Sequence, residues 1–338
     1  MEALKSVASQ LLSAKVEALE EIGGGRNSRV YRLKVQPSRS YALKAYFRHA
    51  SDKRDRMRTE FDSLGFLWDS GVRNTPKPVV ASPEYDFAIY QWVEGRRIGA
   101  QDVTDVTIHA ATSFLCHLAG LRRQPDSGLL GMASEACFSG PALIENLRSR
   151  LEPLLSRDDD ADLQAFLSSE FIPSFDRISD WSREHSGASF DVELSKEAWI
   201  LSPSDFGFHN ALQTATGEVF FLDFEYFGWD DPAKTISDFL LHPAMALSSA
   251  SKRQFATLAA QNLSSDNQLA RRVRAFYPLF GLKWCLILLN EFLPEQLLRR
   301  RFAGMSDQAG QKQTEQLTKA KSKLQQILSE YEHFPYFD

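Results

Sequence analysis

The sequence predicts an α+β protein with two lobes: a small N-terminal lobe built from an antiparallel sheet and one helix, and a larger, mostly helical C-terminal lobe. Residues 20 to 93 contain short strand-like runs around a single segment of helical spacing. From about residue 101 the apolar residues follow the 3.6-residue period of helices, apart from strand-like runs between 199 and 224. We expect residues 1–95 to form the first lobe and residues 96–338 the second.

The composition limits the classes of protein to consider. The chain has 338 residues, of which 43% are hydrophobic and 25% charged, so it can bury a sizeable core. Its net charge of -5 argues against a nucleic-acid partner, which requires a concentrated basic surface. The cysteines at 116, 137 and 285 form no disulfide or zinc pattern, and the sequence shows neither a signal peptide nor an apolar run that could cross a bilayer. We therefore expect a cytoplasmic protein without membrane insertion.

The chain begins with leucines and valines at helical spacing, which predict an amphipathic helix packed on the first lobe. A glycine loop follows, in which Gly23, Gly24, Gly25 and Ser28 lie between two strand-like runs. A loop of this kind lets the backbone approach phosphate groups closely. It lacks the Gly-Lys-Ser/Thr ending of a Walker P-loop, and by itself it favours a plain hairpin turn.

The next strand-like run carries a candidate phosphate-binding lysine. Lys44 shares a face with Ala42 and Tyr46, from which it can reach the α- and β-phosphates of a nucleotide. An ordinary solvated lysine at a sheet edge is the alternative. The helical segment between residues 51 and 70 favours the first interpretation, because it carries an acidic partner, Glu60, in the middle of its apolar pattern. The residues at 62 and 84, Asp62 and Glu84, are weaker candidates for that partner.

An apolar strand over residues 87–93 then runs into a Glu-Gly turn. Such a segment can present backbone C=O and N–H groups to the edge of an adenine ring, and Gln91 and Val93 are the candidates. A buried strand that ends at a loop is the plainer interpretation, and it is compatible with that role.

The most specific chemical signal lies between residues 202 and 225. Asp205 precedes Asn210 by five residues, and Asp223 follows Asp205 by 18 residues between apolar runs. Phosphoryl transfer needs a group that orients the acceptor hydroxyl and oxygen ligands that hold Mg²⁺. Asp205 can supply the first, and the Asn210 amide and the Asp223 carboxylate the second. The alternative is that Asp205 and Asn210 only cap a turn.

Taken together and in order, these motifs resemble the aminoglycoside phosphotransferase and choline kinase group of small-molecule kinases over residues 20 to 240. The resemblance implies a bilobal protein-kinase-like fold, ATP and Mg²⁺ as cofactors, and transfer of the γ-phosphate to a hydroxyl of a small molecule. It implies that Asp205 is the catalytic base and that Asn210 and Asp223 are Mg²⁺ ligands. It also implies that Lys44 binds the nucleotide phosphates with Glu60 as its partner.

The chain departs from that group next to the catalytic aspartate. The group carries His-Gly there, whereas this chain has Pro203 and Ser204, so a histidine that ties the catalytic loop to neighbouring backbone is missing. An aspartate of the group is replaced by Thr235, and His209 has no counterpart, so we expect His209 to pack or to bond within the loop. The change at 203 and 204 motivates a second hypothesis, a nucleotide-binding pseudokinase or regulatory scaffold. Transfer to protein is a third, which the Asp-Phe-Glu sequence at 223–225 disfavours.

The resemblance places the acceptor between the catalytic loop and the helices of the second lobe. The candidate pocket residues are Trp229, Asp230, Trp284 and Glu291, although the apolar density around Trp284 also predicts a plain buried helix. The basic run at 299–301 favours a neutral or anionic hydroxyl compound over a polycation. Sugars, aminoglycoside-like compounds and amino alcohols are the classes to consider.

Two further segments complete the chain. The basic run at 271–274 is expected on a solvated helix face rather than at an anion site. The segment 308–331 has apolar residues at helical spacing without sustained heptads, which predicts a helix docked on the second lobe rather than a coiled coil. A monomer or a homodimer is compatible with that pattern.

Overall fold

The computed structural model describes residues 2–23, 28–48, 54–157, 159–263, 268–295 and 309–337, and has the α+β architecture that the sequence predicts. An antiparallel sheet with the strand order β1-β2-β3-β5-β4 forms the N-terminal part. Its strands are β1 (Val16–Gly23), β2 (Ser28–Val35), β3 (Arg39–Tyr46), β4 (Pro78–Ser82) and β5 (Phe87–Gln91).

Two helices cover the two faces of this sheet. Helix α1 (Glu2–Leu11) buries Ala8 in a cluster with Leu33, Leu43 and Ile89, so the N-terminal helix packs on the first lobe as predicted. Helix α2 (Arg56–Asp69) packs on the opposite face, and its first turn is capped by Asp55, whose side chain accepts from the backbone N–H of Arg58 at 3.0 Å. Because side chains alternate along a strand, Lys44 in β3 faces the α2 side while Leu43 faces α1.

The rest of the chain is mostly helical. Its helices are α3 (Asp105–Gly120), α4 (Gly140–Leu155), α5 (Ala161–Phe166), α6 (Ile172–Ser186), α7 (Pro232–Leu241), α8 (Ser249–Asn262), α9 (Leu269–Leu288) and α10 (Ala309–Glu330). Short strands lie among them: β6 (Arg96–Arg97), β7 (Ile200–Ser202), β8 (Ala211–Gln213), β9 (Val219–Phe221) and β10 (Gly228–Asp230). Among the described helices, none combines the length and the apolar character that a membrane span needs.

Helix α9 is the centre of the helical region. Helices α4, α6, α7 and α10 all pack against it, and its residues from Ala275 to Leu286 are buried. Helix α10 approaches closely at Gly281, where an added Cβ would lie 2.3 Å from Ile327 Cδ1. Since Ile327 and Leu324 are fully buried, the C-terminal helix docks on this lobe, in agreement with the sequence.

A cluster of aromatic rings supports the strand-rich region that the sequence singles out. The ring of Phe114 in α3 stacks on Phe221 at 4.5 Å, and Phe206 lies 4.9 Å from Phe221. Strand β7 pairs with β10, and β8 pairs with β9. The loop from 203 to 210 joins β7 to β8, so its backbone is anchored to two small sheets and, through Phe206, to the core.

Gly228 is expected to tolerate no side chain. A Cβ there would lie 2.4 Å from the backbone nitrogen of Ala133 and 2.4 Å from the carbonyl of Gly131. Gly228→Ala should therefore lower the free energy of unfolding by about 1–3 kcal/mol, as overpacking does. In Gly65→Ala, on a helix where nothing lies within 4 Å, the same change should be neutral or stabilising. Urea unfolding of both variants measures this, and equal effects would contradict it.

Candidate active site

The loop from 203 to 210 is held in one conformation by its own polar groups. Ser204 has a positive φ of 66°, and its N–H donates to Ser202 Oγ at 3.1 Å. The side-chain amide of Asn210 donates to the carbonyl of Asp205 at 3.0 Å, which closes the loop. The backbone N–H of Leu222 donates to the Asn210 carbonyl at 2.8 Å, so the loop lies next to the segment that carries Asp223.

Two histidines contact the Asp205 carboxylate. The Nε2 atoms of His209 and His242 lie 3.0 Å and 3.3 Å from the same oxygen, Asp205 Oδ1. The two imidazole rings are stacked, with centroids 3.6 Å apart and planes 5° from parallel. Burial opposes ionisation of Asp205, but the hydrogen bonds from the histidines outweigh it and hold the pKa of this carboxyl well below its ordinary value. Asp205 is therefore ionised at neutral pH.

The buried ammonium group of Lys234 contacts the loop. Lys234 in α7, whose side chain is 1% exposed, lies 2.7 Å from Asp230 Oδ2 and 3.3 Å from Asp238 Oδ2. It also donates to Ser204 Oγ at 2.9 Å, and Ser204 Oγ in turn donates to the carbonyl of Ser134 at 3.2 Å. Through these contacts Lys234 and Ser204 tie the 203–210 loop to its surroundings, at the point where the sequence lacks the expected histidine.

Lys44 bridges the sheet, helix α2 and the segment after β9. Its Nζ lies 2.6 Å from Glu60 Oε2 and 2.7 Å from Asp223 Oδ1. Burial alone would lower the pKa of Lys44, but the charges of Asp223 and Glu60 raise it well above its ordinary value. Glu60 also accepts from Tyr46 Oη at 2.8 Å and from the backbone N–H of Phe224 at 3.2 Å. Lys44 is thus a buried, fully charged lysine, and not a solvated edge residue.

Glu225 adds a third carboxylate near Lys44. It lies 3.6 Å from the Lys44 ammonium and 3.5 Å from Arg56 of α2. Burial is the main cause that raises the pKa of Glu225 to about 7, with the neighbouring Asp223 charge acting in the same direction. One carboxylate oxygen from each of Glu60, Asp223 and Glu225 lies within 4.8 Å of the others, so the acidic groups converge on Lys44.

The predicted magnesium ligands have suitable chemistry and placement. The Asn210 amide nitrogen is used within the loop, which leaves its side-chain oxygen as a ligand. Asp223 has a positive φ of 67°, and its side chain is 31% exposed, whereas that of Glu225 is 3% exposed. Among these carboxylates, Asp223 is therefore the one with an accessible oxygen. Its assignment and that of Asn210 stay predictions.

The structure describes some of the other predicted nucleotide contacts but not all of them. Gly23 ends β1 and the buried Ser28 begins β2, while Gly24 and Gly25 lie outside the described residues. Gln91 ends β5, and its backbone N–H donates to the Lys77 carbonyl at 2.8 Å. Val93 follows two residues later. The positions are compatible with a glycine loop and an adenine hinge.

The four candidate acceptor residues have different surroundings. Trp284 Nε1 donates to Asp238 Oδ1 at 2.9 Å, and its ring makes an edge-to-face contact with His242, with centroids 4.6 Å apart, next to Asp205. Trp229 Nε1 donates to the Ser127 carbonyl at 3.2 Å. Asp230 is fully buried and paired with Lys234, and Glu291 is also buried. Trp284 thus contacts His242, a residue that touches Asp205.

One basic run differs from its expected environment. Arg271 and Arg274 are exposed, but Arg272 lies 2.6 Å from the buried Asp231 and donates to the carbonyl of Phe138 at 2.8 Å. Arg272 is therefore a structural ion-pair residue and not part of a solvated helix face. The run at 299–301, which favours a neutral or anionic acceptor, lies outside the described residues.

A model of the phosphotransferase enzyme family (APH) matches residues 18–277. The chain belongs to this family. The predicted family and the prediction of a phosphotransferase are thereby confirmed. A search of curated proteins finds no significant match.

Solved structures show the same fold as this phosphotransferase. Spectinomycin phosphotransferase APH(9)-Ia, in complex with ADP and spectinomycin, is similar with a TM-score of 0.64 and 13% identity over 97% of both chains. Choline kinase LicA from Streptococcus pneumoniae has a TM-score of 0.63 and 14% identity, over 96% of this chain and 98% of that one. APH(2″)-IIa, in complex with gentamicin, has a TM-score of 0.63 and 16% identity over 96% of both chains. The predicted protein-kinase-like fold is confirmed by these likenesses.

Sequence reasoning missed the polar face of α7. Lys234, Asp238 and His242 are spaced four residues apart, so they share one face of this helix and its C-terminal end. Lys234 and His242 contact the 203–210 loop, and Asp238 contacts both Lys234 and Trp284, which packs on His242. The available signal was the spacing of a lysine, an aspartate and a histidine at i, i+4 and i+8 along this helix and its C-terminal end.

Lys234→Met should be strongly destabilising, because it leaves Asp230 and Asp238 buried without their counter-charge. The expected loss is about 3–5 kcal/mol at neutral pH. Burial, opposed by Lys234, raises the pKa of Asp230 to about 6, above its unfolded value, so the folded state favours the protonated acid. Removing Lys234 raises this pKa further, so the loss should shrink as pH falls from 7.5 to 5.

Chemical unfolding at both pH values measures the effect. Lys319→Met, on the exposed face of α10, is the matched control and should change stability little at either pH. A loss for Lys234→Met that grows towards pH 5 would contradict the buried-pair account.

Proposed function

We propose that the protein is an ATP- and Mg²⁺-dependent kinase that transfers the γ-phosphate to a hydroxyl of a small molecule. The observation that carries this proposal is the convergence on one hairpin of an ionised, histidine-bonded Asp205 and the Lys44–Asp223 pair. The two groups lie at the ends of the β8–β9 unit, which is joined by the Asn210–Leu222 hydrogen bond.

Lys44 supports the nucleotide half of the proposal. Its ammonium is held by Glu60 from α2 and by Asp223 from the segment after β9, so its position is determined by two elements rather than by its own flexible stem. A lysine fixed in this way can contact nucleotide phosphates. Mg²⁺ held by Asn210 and Asp223 would neutralise the charge that develops on the transferred group.

Asp205 supports the acceptor half. Its side chain is 33% exposed, so one edge of the carboxylate remains accessible while the histidines cover Oδ1. An ionised carboxylate at this point accepts a hydrogen bond from the incoming hydroxyl, orients it and takes its proton as the new phosphoester bond forms. In the same step the bond between the γ-phosphorus and the β,γ-bridging oxygen breaks, and ADP is the leaving group.

The charges around the loop favour a neutral acceptor, such as a sugar, over an aminoglycoside-like or amino alcohol cation. Asp230 and Asp238 are both paired with Lys234, and Glu135 is paired with Lys283 at 3.2 Å and with Arg150. These carboxylates are already neutralised within the protein. A polycationic acceptor would need acidic groups that are free to pair with it.

The test is Mg²⁺-dependent release of ADP from ATP in the presence of sugars, amino alcohols, aminoglycosides and nucleosides. Turnover that is stimulated by one class of acceptor and lost in Asp205→Ala would support a small-molecule kinase. ATP binding without turnover on any compound, and with no difference between the two proteins, would favour the nucleotide-binding pseudokinase.

Asp205→Ala should reduce turnover by about 10²- to 10⁴-fold while nucleotide affinity stays close to that of the wild type. Asp223→Ala should weaken Mg²⁺-nucleotide binding as well as turnover, because its carboxylate serves both Lys44 and the metal. Steady-state kinetics and calorimetric titration with ATP separate the two effects. Equal, modest losses of both quantities in both variants would contradict the assigned roles.

Lys44→Ala should raise the nucleotide KM and slow the reaction, because the phosphates lose their fixed cation. Glu60→Gln should have the same effect to a smaller degree, since Lys44 then keeps only Asp223 and Glu225. Lys34→Ala on the exposed part of β2 and Asp62→Asn on the exposed face of α2 are the matched controls. The rates of the four variants are measured at varied ATP concentration. If all four variants behaved alike, the assignment of Lys44 to the phosphate site would be contradicted.

A further inference from the structure

The residue that follows helix α7 brings a second imidazole nitrogen to the Asp205 carboxylate. His242 follows the last residue of α7, and its Nε2 lies 3.3 Å from Asp205 Oδ1. It belongs to a different element from His209, which lies in the catalytic loop itself. Asp205 is therefore held from two directions, by its own loop and by a helix of the lobe core.

The protonation state of His242 follows from its other ring nitrogen. The backbone N–H of Ala244 donates to His242 Nδ1 at 3.2 Å, so Nδ1 carries a lone pair. The proton of the neutral ring is then on Nε2, which faces the carboxylate. His242 can donate to Asp205 without being charged.

The same tautomer argues against a metal at this position. His209, His242 and Asp205 bring three potential ligand atoms within 4.8 Å of one another. A metal at His242 Nε2 would require the proton to move to Nδ1, where it would face the N–H of Ala244. The donor role fits the surroundings of both nitrogens, whereas the ligand role fits only one.

The ring of His242 is fixed by packing on both sides. It stacks on His209 at 3.6 Å, and the edge-to-face contact with Trp284 is at 4.6 Å. Trp284 is itself held by its hydrogen bond to Asp238, which also contacts Lys234 at 3.3 Å. The position of His242 is thus tied to the buried charge cluster that supports Ser204.

We propose that His242 is a positioning residue, which with His209 occupies Oδ1 of Asp205 so that Oδ2 alone addresses the acceptor hydroxyl. This arrangement, together with the Lys234–Ser204 contact, takes the place of the histidine that the sequence lacks before Asp205. The inference rests on the proposed function, because it concerns the geometry of the same phosphoryl transfer.

The experiment compares three substitutions under single-turnover conditions, so that product release does not mask the chemical step. His242→Phe keeps an aromatic ring but removes the donor, and should slow phosphoryl transfer by about 10- to 100-fold, as misplacement of a reacting group does. His242→Gln keeps an N–H donor and should recover most of that loss. His117→Phe, on the exposed face of α3, is the matched control and should react like the wild type.

The affinity for ATP should be the same in all of these proteins, because His242 acts on the acceptor side. A wild-type rate for His242→Phe would overturn the inference. So would a His242→Gln variant that is folded and as slow as His242→Phe, since packing rather than the donor would then be responsible. Wild-type protein that transfers phosphate to no acceptor would instead contradict the proposed function.

A spectroscopic measurement on the wild-type protein tests the hydrogen bond independently of activity. Nitrogen-15 correlation spectra of the wild-type imidazoles, assigned by comparison with His242→Gln, report which ring nitrogen carries the proton. The expected result is a neutral His242 with its proton on Nε2. A proton on Nδ1 would overturn the inference.

Discussion

The contact of Lys44 with Glu60 and Asp223 is the interaction on which the rest of the site depends. Lys44 lies in β3, Glu60 in α2 and Asp223 in the segment after β9, and these three parts are far apart along the chain. Each group is costly to bury alone, because a charge loses its hydration in the protein interior. They are tolerated together because the Lys44 ammonium pairs with both carboxylates. The contact therefore holds the sheet, its helix and the catalytic hairpin in a single arrangement.

In a second buried cluster, next to the 203–210 loop, a lysine again pairs with two carboxylates. Lys234 balances Asp230 and Asp238, and uses its remaining donor capacity on Ser204. Ser204 precedes the catalytic aspartate and has the backbone conformation that favours glycine, with a φ of 66°. The hydrogen bonds of its side chain with Lys234 and Ser134 help to hold a residue that would otherwise resist that conformation. Stability and the geometry of the loop are thus coupled through the same lysine.

The histidine pair explains how Asp205 stays ionised although burial opposes its charge. The N–H of a neutral His242 can stabilise a carboxylate without adding a positive charge to the site. A carboxylate held in this way is a weak proton base but a good orienting group. That balance would suit the proposed phosphoryl transfer, in which catalysis rests mainly on positioning and on electrostatic stabilisation.

The sequence by itself determined the α+β class, the family and the order of the strand lysine, the helix glutamate and the Asp205, Asn210 and Asp223 motifs. These follow from local periodicity and from short motifs, both of which depend only on residues that are close together in the sequence. It also indicated that the N-terminal and C-terminal helices dock on their lobes. The sequence was less informative about which side chains pair with each other. It left open that Lys44 is a solvated lysine, and it placed Arg272 on a solvated helix face.

Only the tertiary structure decided what supports the catalytic loop. Lys234 and His242 contact residues that lie 30 or more positions away along the chain, and their i, i+4, i+8 spacing does not identify those distant partners. The contact between them and the loop depends on how α7 packs on β7 and α9, which is a property of the assembled core. A missing histidine is visible in a sequence, whereas the residues that replace it are visible only when the chain is folded.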